Sequence, residues 1–152
     1  MTTAPLHWKL TIDAADPLAQ ADFWAAALGY RVEDHSRLIA GLREAGHLPE
    51  GATTERYGRD VWLDLAAVRH PDDPFDEYKD LGLGRRLLFQ RVPEAKTVKN
   101  RLHLDLHVGT ERIPAEVERL RALGATVLYE QRQPMGVWTT MADPEGNEFC
   151  VE

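Results

Sequence analysis

Two stretches of this chain, almost a hundred residues apart, carry the same pattern. Leu6-His7-Trp8-Lys9-Leu10-Thr11-Ile12 is echoed by Leu102-His103-Leu104-Asp105-Leu106-His107-Val108. Further on, Ala27-Leu28-Gly29 is echoed by Ala122-Leu123-Gly124, Val61-Trp62 by Val137-Trp138, and Phe89-Gln90 by Phe149-Cys150. The four echoes fall in the same order in both halves. That order predicts two copies of one supersecondary unit related by a pseudo-twofold axis; two copies are too few for a solenoid.

Each copy reads as strand, helix, then three strands. The first strand, about Leu6 to Asp13, alternates with period two. Asp16 then stands as an N-cap with Pro17 at the first helical position. Leu18, Ala21, Trp24, Ala25 and Leu28 follow at helical spacing, and Gly29 ends the helix. The second copy's helix is predicted from about Pro114 to Leu123, with Val117, Leu120 and Leu123 as its stripe and Gly124 at its end. Short strands begin near Tyr30 and Ala125. Asp60–Ala66 and Arg85–Val92 complete the first copy's sheet; Val137–Ala142 and Asn147–Val151 complete the second. Asp143-Pro144-Glu145-Gly146-Asn147 is the turn of the last hairpin. Two insertions lengthen the first copy. One, about His35 to Arg59, holds a predicted helix over Ser36–Ala45; the other, His70 to Gly84, is an acidic loop that reads as solvated surface. The whole chain is thus expected to be one domain over residues 1–152, with module one about 6–93, a connector 94–100 and module two about 101–152.

Composition narrows the function classes. Lys and Arg number 18 against 25 Asp and Glu, a net charge of −7. That balance argues against partners such as nucleic acid or an anionic membrane. No apolar run approaches the ~20 residues of a membrane span. Met1-Thr2-Thr3-Ala4-Pro5 lacks the basic and apolar regions of a signal peptide. The single cysteine, Cys150, excludes an intrachain disulfide and a cysteine-rich zinc site. A cytoplasmic location is the expectation.

Leu6-His7, Phe23-Trp24, Ala27-Leu28-Gly29, Leu88-Phe89-Gln90, Leu102-His103-Leu104-Asp105-Leu106 and the Asp143–Asn147 turn together resemble the vicinal oxygen chelate superfamily, and within it the actinobacterial glyoxalase-like domains. The resemblance implies an α+β fold of two βαβββ modules forming a cupped mixed sheet around a cavity. It also implies frequent homodimers. The superfamily includes glyoxalase I, extradiol dioxygenases, fosfomycin-modifying enzymes and metal-free bleomycin-binding proteins, so fold alone does not decide function.

In metal-dependent relatives one ligand comes from the first strand and one from the last strand of each module. Carried over, those positions are His7 and His103 on the first strands, Gln90 and Cys150 on the last. Both histidines are kept and both usual carboxylates are missing. Gln90 offers a weak neutral carbonyl, and Cys150 a soft thiolate that suits zinc or copper(I) better than magnesium or manganese. Glu148 shares a strand face with Cys150, ~6.5 Å along it, and is a further candidate ligand if the register slips.

Strand alternation places Lys9 on the face of His7, and Asp105 and His107 on the face of His103. Lys9 and Asp105 read as repeat-equivalent and of opposite charge. His103, His107 and Asp105 are candidates for acid–base chemistry, because imidazole titrates near neutrality. Trp62 and Trp138 read as repeat-equivalent residues that stack a planar ligand or pack as core. Three functions remain open: a metal-independent small-molecule-binding cup; a metal-dependent lyase, isomerase or dioxygenase with a divalent ion on His7 and His103; and a non-catalytic structural or interaction protein. The first is favoured by the missing carboxylates, with a cavity between the modules, no cofactor, a small-molecule ligand and a homodimer.

Overall fold

The computed structural model describes residues 3–152; Met1 and Thr2, the first two residues of the Met1–Pro5 stretch that lacks signal-peptide features, lie outside the described residues. The chain divides into two compact units, one ending at Val92 and one beginning at Pro93.

In the first unit, β1 (Leu10–Ala14) leads into α1 (Pro17–Leu28), then β2 (Arg31–Val32), α2 (Ser36–Glu44), β3 (Thr53–Arg56), β4 (Arg59–Trp62), β5 (Leu65–Arg69), β6 (Phe75–Asp76), β7 (Leu81–Gly82) and β8 (Arg86–Arg91). The main sheet has the order β1-β8-β5-β2, with β1 and β8 parallel and the other neighbours antiparallel. The remaining strands form two small hairpins, β3-β4 and β6-β7.

Helix α1 starts and stops as its sequence dictates. The Asp16 carboxylate accepts from the Ala19 N–H at 3.1 Å, Pro17 opens the first turn, and Gly29 closes the helix at φ 69°, a conformation that favours glycine. The helix buries Leu18, Ala21, Phe23, Trp24 and Ala27 against β5 and β8, where Ala66, Val68 and Phe89 complete the core. Phe23 and Trp24 meet edge to face with centroids 5.2 Å apart.

The second unit repeats this plan more compactly. After β9 (Asp105–Leu106) and a 3₁₀ turn (Thr110–Arg112) come α3 (Ile113–Ala122), β10 (Thr126–Gln133), β11 (Gly136–Ala142) and β12 (Glu148–Val151). The sheet order is β10-β11-β12-β9, again with first and last strands parallel. Ile113 and Leu120 of α3 are buried, as are Met141, Phe149 and Val151. Both units are therefore βαβββ modules, and the chain has the expected α+β fold class. In the last hairpin the Asp143 carboxylate accepts from the N–H groups of Glu145 and Asn147.

Several boundaries differ from the sequence expectation. The first strand begins at Leu10, not Leu6, so His7 and Lys9 precede it in exposed, irregular backbone. The stretch Asp60–Ala66 is two elements: β4 belongs to the β3-β4 hairpin, and only β5 joins the main sheet. Leu123 is 38 % exposed rather than part of a buried stripe. The acidic insertion is not merely solvated. It folds as β6-β7, and Asp80 forms an ion pair with the buried Arg69 at 2.8 Å while accepting from the Asp34 N–H.

Candidate functional site

In the second unit, β12 alternates between buried Phe149 and Val151 and the opposite row of Glu148, Cys150 and Glu152. Strand register lays a polar floor around that row. Cys150 lies opposite Asp105 of β9 on one side and Thr140 of β11 on the other, and Thr140 lies opposite Tyr129 of β10. One alternation further, Trp138 lies opposite Gln131. Glu152 meets His107 there, with Nδ1 and Oε1 3.0 Å apart. A cavity of about 370 Å³ opens over this floor, lined by Lys99, His103, Asp105, Tyr129, Trp138, Thr140, Glu148, Cys150 and Glu152.

The polar groups here are oriented by one another. His103 Nδ1 lies 2.8 Å from Asp105 Oδ1. An ionised carboxylate only accepts, so the ring donates from Nδ1, and in the neutral ring Nε2 carries the lone pair. Thr140 Oγ1 and Cys150 Sγ are 3.5 Å apart. Burial pushes the Cys150 thiol pKa up; the Thr140 contact opposes this, and the charges of Asp105 and Glu152 reinforce it. The thiol is therefore protonated near neutral pH. Burial also works to raise the Glu148 carboxyl, but the Asn100 N–H and the Lys96 ammonium, both at 3.0 Å, outweigh it and hold the pKa below the ordinary value.

Of the residues singled out from sequence, His103, Asp105, Trp138, Glu148 and Cys150 share this cavity. His107 lines an adjoining hollow of about 590 Å³ that shares Trp138 and Glu152 with it. The others lie in the first unit. Gln90 sits exposed on β8 opposite Asp13, and Trp62 lines a small hollow with Tyr57, Glu33 and His35.

The repeat alignment needs correction. Gln90 pairs with Asp13 and Leu65, as Cys150 pairs with Asp105 and Thr140. Asp13 is thus the counterpart of Asp105, and Thr11, not His7, the counterpart of His103. The pairing of Lys9 with Asp105 fails for the same reason. Trp62 and Trp138 are not equivalent either, because Trp62 lies opposite Thr53 in the β3-β4 hairpin. The motif that repeats is Leu10-Thr11-Ile12-Asp13 against Leu102-His103-Leu104-Asp105, a carboxylate rather than a histidine repeat.

Sequence reasoning missed Lys99, Tyr129, Thr140 and Glu152 as cavity residues. The last had a signal in the alternation Glu148-x-Cys150-x-Glu152. It also missed a buried charged centre in the first unit. Glu33, whose side chain has no solvent exposure, accepts from Arg86 Nε at 2.6 Å and Nη2 at 2.9 Å, and from the Gly82 N–H at 2.7 Å. His35 Nε2 lies 2.8 Å from its second oxygen. Burial alone would raise the Glu33 pKa, but these partners pull it down to about 2.

A family model described as a glyoxalase-like domain matches residues 9–152. The chain belongs to the glyoxalase-like domain family. Comparison with curated proteins finds no match. Among solved structures, a glyoxalase/bleomycin resistance protein/dioxygenase family enzyme from Burkholderia phytofirmans is similar at TM-score 0.58 and 15 % identity, covering 94 % of each chain. The fosfomycin resistance protein FosX from Mesorhizobium loti is similar at TM-score 0.58 and 11 % identity, covering 100 % of this chain and 92 % of its own. A mutant FosX from Listeria monocytogenes, complexed with Mn(II) and a dihydroxypropylphosphonic acid, is similar at the same score and 11 % identity, over 99 % and 90 % of the two chains. At these identities the likeness establishes a common fold.

The metal-binding capacity of this glyoxalase-like chain can be judged from its own donors. His103, Asp105 and Cys150 bring one donor atom each within 4.8 Å of one another. That trio does not suit a hard ion such as Mn(II), which prefers oxygen donors. One of its three donors is the soft sulfur of Cys150, one is an imidazole nitrogen, and only Asp105 offers oxygen. Glu148 is committed to Lys96 and Asn100. A thiophilic ion such as zinc fits the donor chemistry better, provided that it displaces the thiol proton.

Proposed function

We propose that the cavity of the second unit binds a small organic molecule without a hard divalent metal, and that His103 is its acid–base group. The observation that carries this reading is the His103–Asp105 pair set in the wall of a cavity of about 370 Å³. Small-molecule sites typically occupy ~300–1,000 Å³ and combine apolar surface with a few placed polar groups. Trp138 and Tyr129 supply the apolar surface here. Asp105 fixes the His103 tautomer and stabilises the imidazolium when Nε2 takes up a proton. His107, with Glu152, is a second acid–base candidate at the adjoining hollow.

The test is a thermal-shift screen of a chemically broad fragment library. Binders stabilise the wild type in proportion to the logarithm of their concentration. His103→Ala and Trp138→Ala are expected to abolish those shifts, with the metal content of the purified protein measured in parallel. Shifts that persist in both variants would place binding elsewhere and end this reading. A second reading is favoured by the donor trio: a zinc-type ion on His103, Asp105 and Cys150. Stoichiometric zinc that disappears in Cys150→Ser would establish it in place of the first.

The same reading takes the protein to be a cytoplasmic homodimer. Support for self-association comes from apolar side chains left in solvent, including Leu6 at 89 % and Trp8 at 83 % exposure. Among the described residues no helix is long and apolar enough to cross a membrane.

A further inference from the structure

The floor of the second unit has a charge pattern that bears on what it binds. Trp138 is half-buried in the cavity, with Tyr129 one strand over and one alternation back. The register of Thr139 with Val151, and of Leu106 with Val151, sets Trp138 and His107 on either side of Glu152. Neighbouring strands are ~4.8 Å apart, and same-face residues on one strand ~6.5 Å apart. An aromatic ring lying on Trp138 therefore has Glu152 within reach of a two-carbon arm, and Asp105 lies diagonally beyond it, one strand over and one alternation along, ~7–8 Å from Glu152.

The charges on this floor are unbalanced. Among the described residues its carboxylates are Asp105, Glu148 and Glu152, and its permanent cation is Lys99. Glu148 is already matched by Lys96. Asp105 and Glu152 each face an imidazole at one oxygen, His103 and His107 respectively, and keep acceptor capacity beyond it. Among the described residues, no arginine lines the cavity. While His103 and His107 are neutral, an anionic ligand would meet two carboxylates opposed, among the described residues lining the cavity, by Lys99.

We infer that this site selects a planar aromatic molecule bearing a protonated amine, the ring on Trp138 and the ammonium between Glu152 and Asp105. The inference rests on the small-molecule reading above and adds the chemical class. The ring supplies apolar burial by stacking on Trp138. The carboxylates supply sign selectivity, since like charges brought together cost binding energy. A ligand with a carboxylate or phosphonate in place of the amine is rejected by the same two groups.

Three indoles of nearly one shape test this: tryptamine, indole-3-acetamide and indole-3-acetate, titrated into the full chain by calorimetry and by NMR at pH 7. Tryptamine is expected to bind at least about ten-fold more tightly than indole-3-acetate, with the neutral amide between them. The near-isosteric Glu152→Gln/Asp105→Asn double variant is expected to bring the three affinities within about two-fold of one another. Trp138→Leu is expected to weaken all three together. If indole-3-acetate binds as tightly as tryptamine, and both depend on Trp138, the charge assignment is wrong while the small-molecule site stands. If none of the three binds, the inference is overturned, and the fragment screen decides the site separately. Should the double variant not fold, the order of the three ligands on the wild type still decides.

Discussion

Glu33 keeps a full charge where water does not reach it. Two arginine N–H groups, one backbone N–H and one imidazole surround its two oxygens. Removing one member of such a buried pair typically costs ~3–5 kcal/mol, because the partner's charge is left uncompensated. Glu33→Gln is therefore expected to lose stability on that scale in urea unfolding. The pH dependence has a definite sign. With its pKa lowered from 4.5 to about 2, Glu33 stabilises the fold fully above pH 4.5 and loses that contribution as pH falls towards 2. Wild-type stability should decline through that window, and the glutamine variant should decline less; equal slopes would show that other carboxylates dominate. None of this was legible beforehand. A Glu two residues before a His reads as any exposed strand edge, and its partners at Gly82 and Arg86 lie about fifty residues away.

At the scale of elements, local rules carried the helices and turns. Asp16→Ala removes the side-chain acceptor at the start of α1 and is expected to cost ~1 kcal/mol in the same assay. Gly82 in β7 is a different case. Its backbone is not strained, but a Cβ there would lie 2.8 Å from the Arg69 Cβ and 3.3 Å from Glu33 Oε1. Gly82→Ala should therefore destabilise by ~1–3 kcal/mol, the range of core overpacking, and disturb the Glu33 centre. A neutral outcome would mean that the β6-β7 hairpin can shift outward. Strand offset was where reading from sequence went astray. Period-two alternation sorts residues onto faces, and a slip by an even number of residues leaves every face unchanged. His7 and Thr11 thus fit the pattern equally well, and only pairing with β8 selects Thr11 as the counterpart of His103.

For the whole molecule, a net charge of −7 adds a long-range field to the local carboxylates. Raising the salt from about 0.05 M to 0.5 M shortens the Debye length to a few Å. Binding of tryptamine should then weaken several-fold, while indole-3-acetamide is little affected; parallel loss of both would point to a salt effect on the fold. Sedimentation at micromolar concentration is expected to give twice the chain mass, and a strict monomer would remove the dimer reading. The sequence by itself determined the module plan, strand-helix-three strands twice over, together with the caps of α1 and the Asp143–Asn147 turn. These depend on residues within a few positions of one another, where propensity and hydrogen bonding act directly. Only the tertiary structure decided which side chains share a floor. That Asp105, Cys150, Thr140 and Tyr129 form one row depends on the offsets of four strands, and those offsets follow from core packing and hairpin geometry across the whole unit.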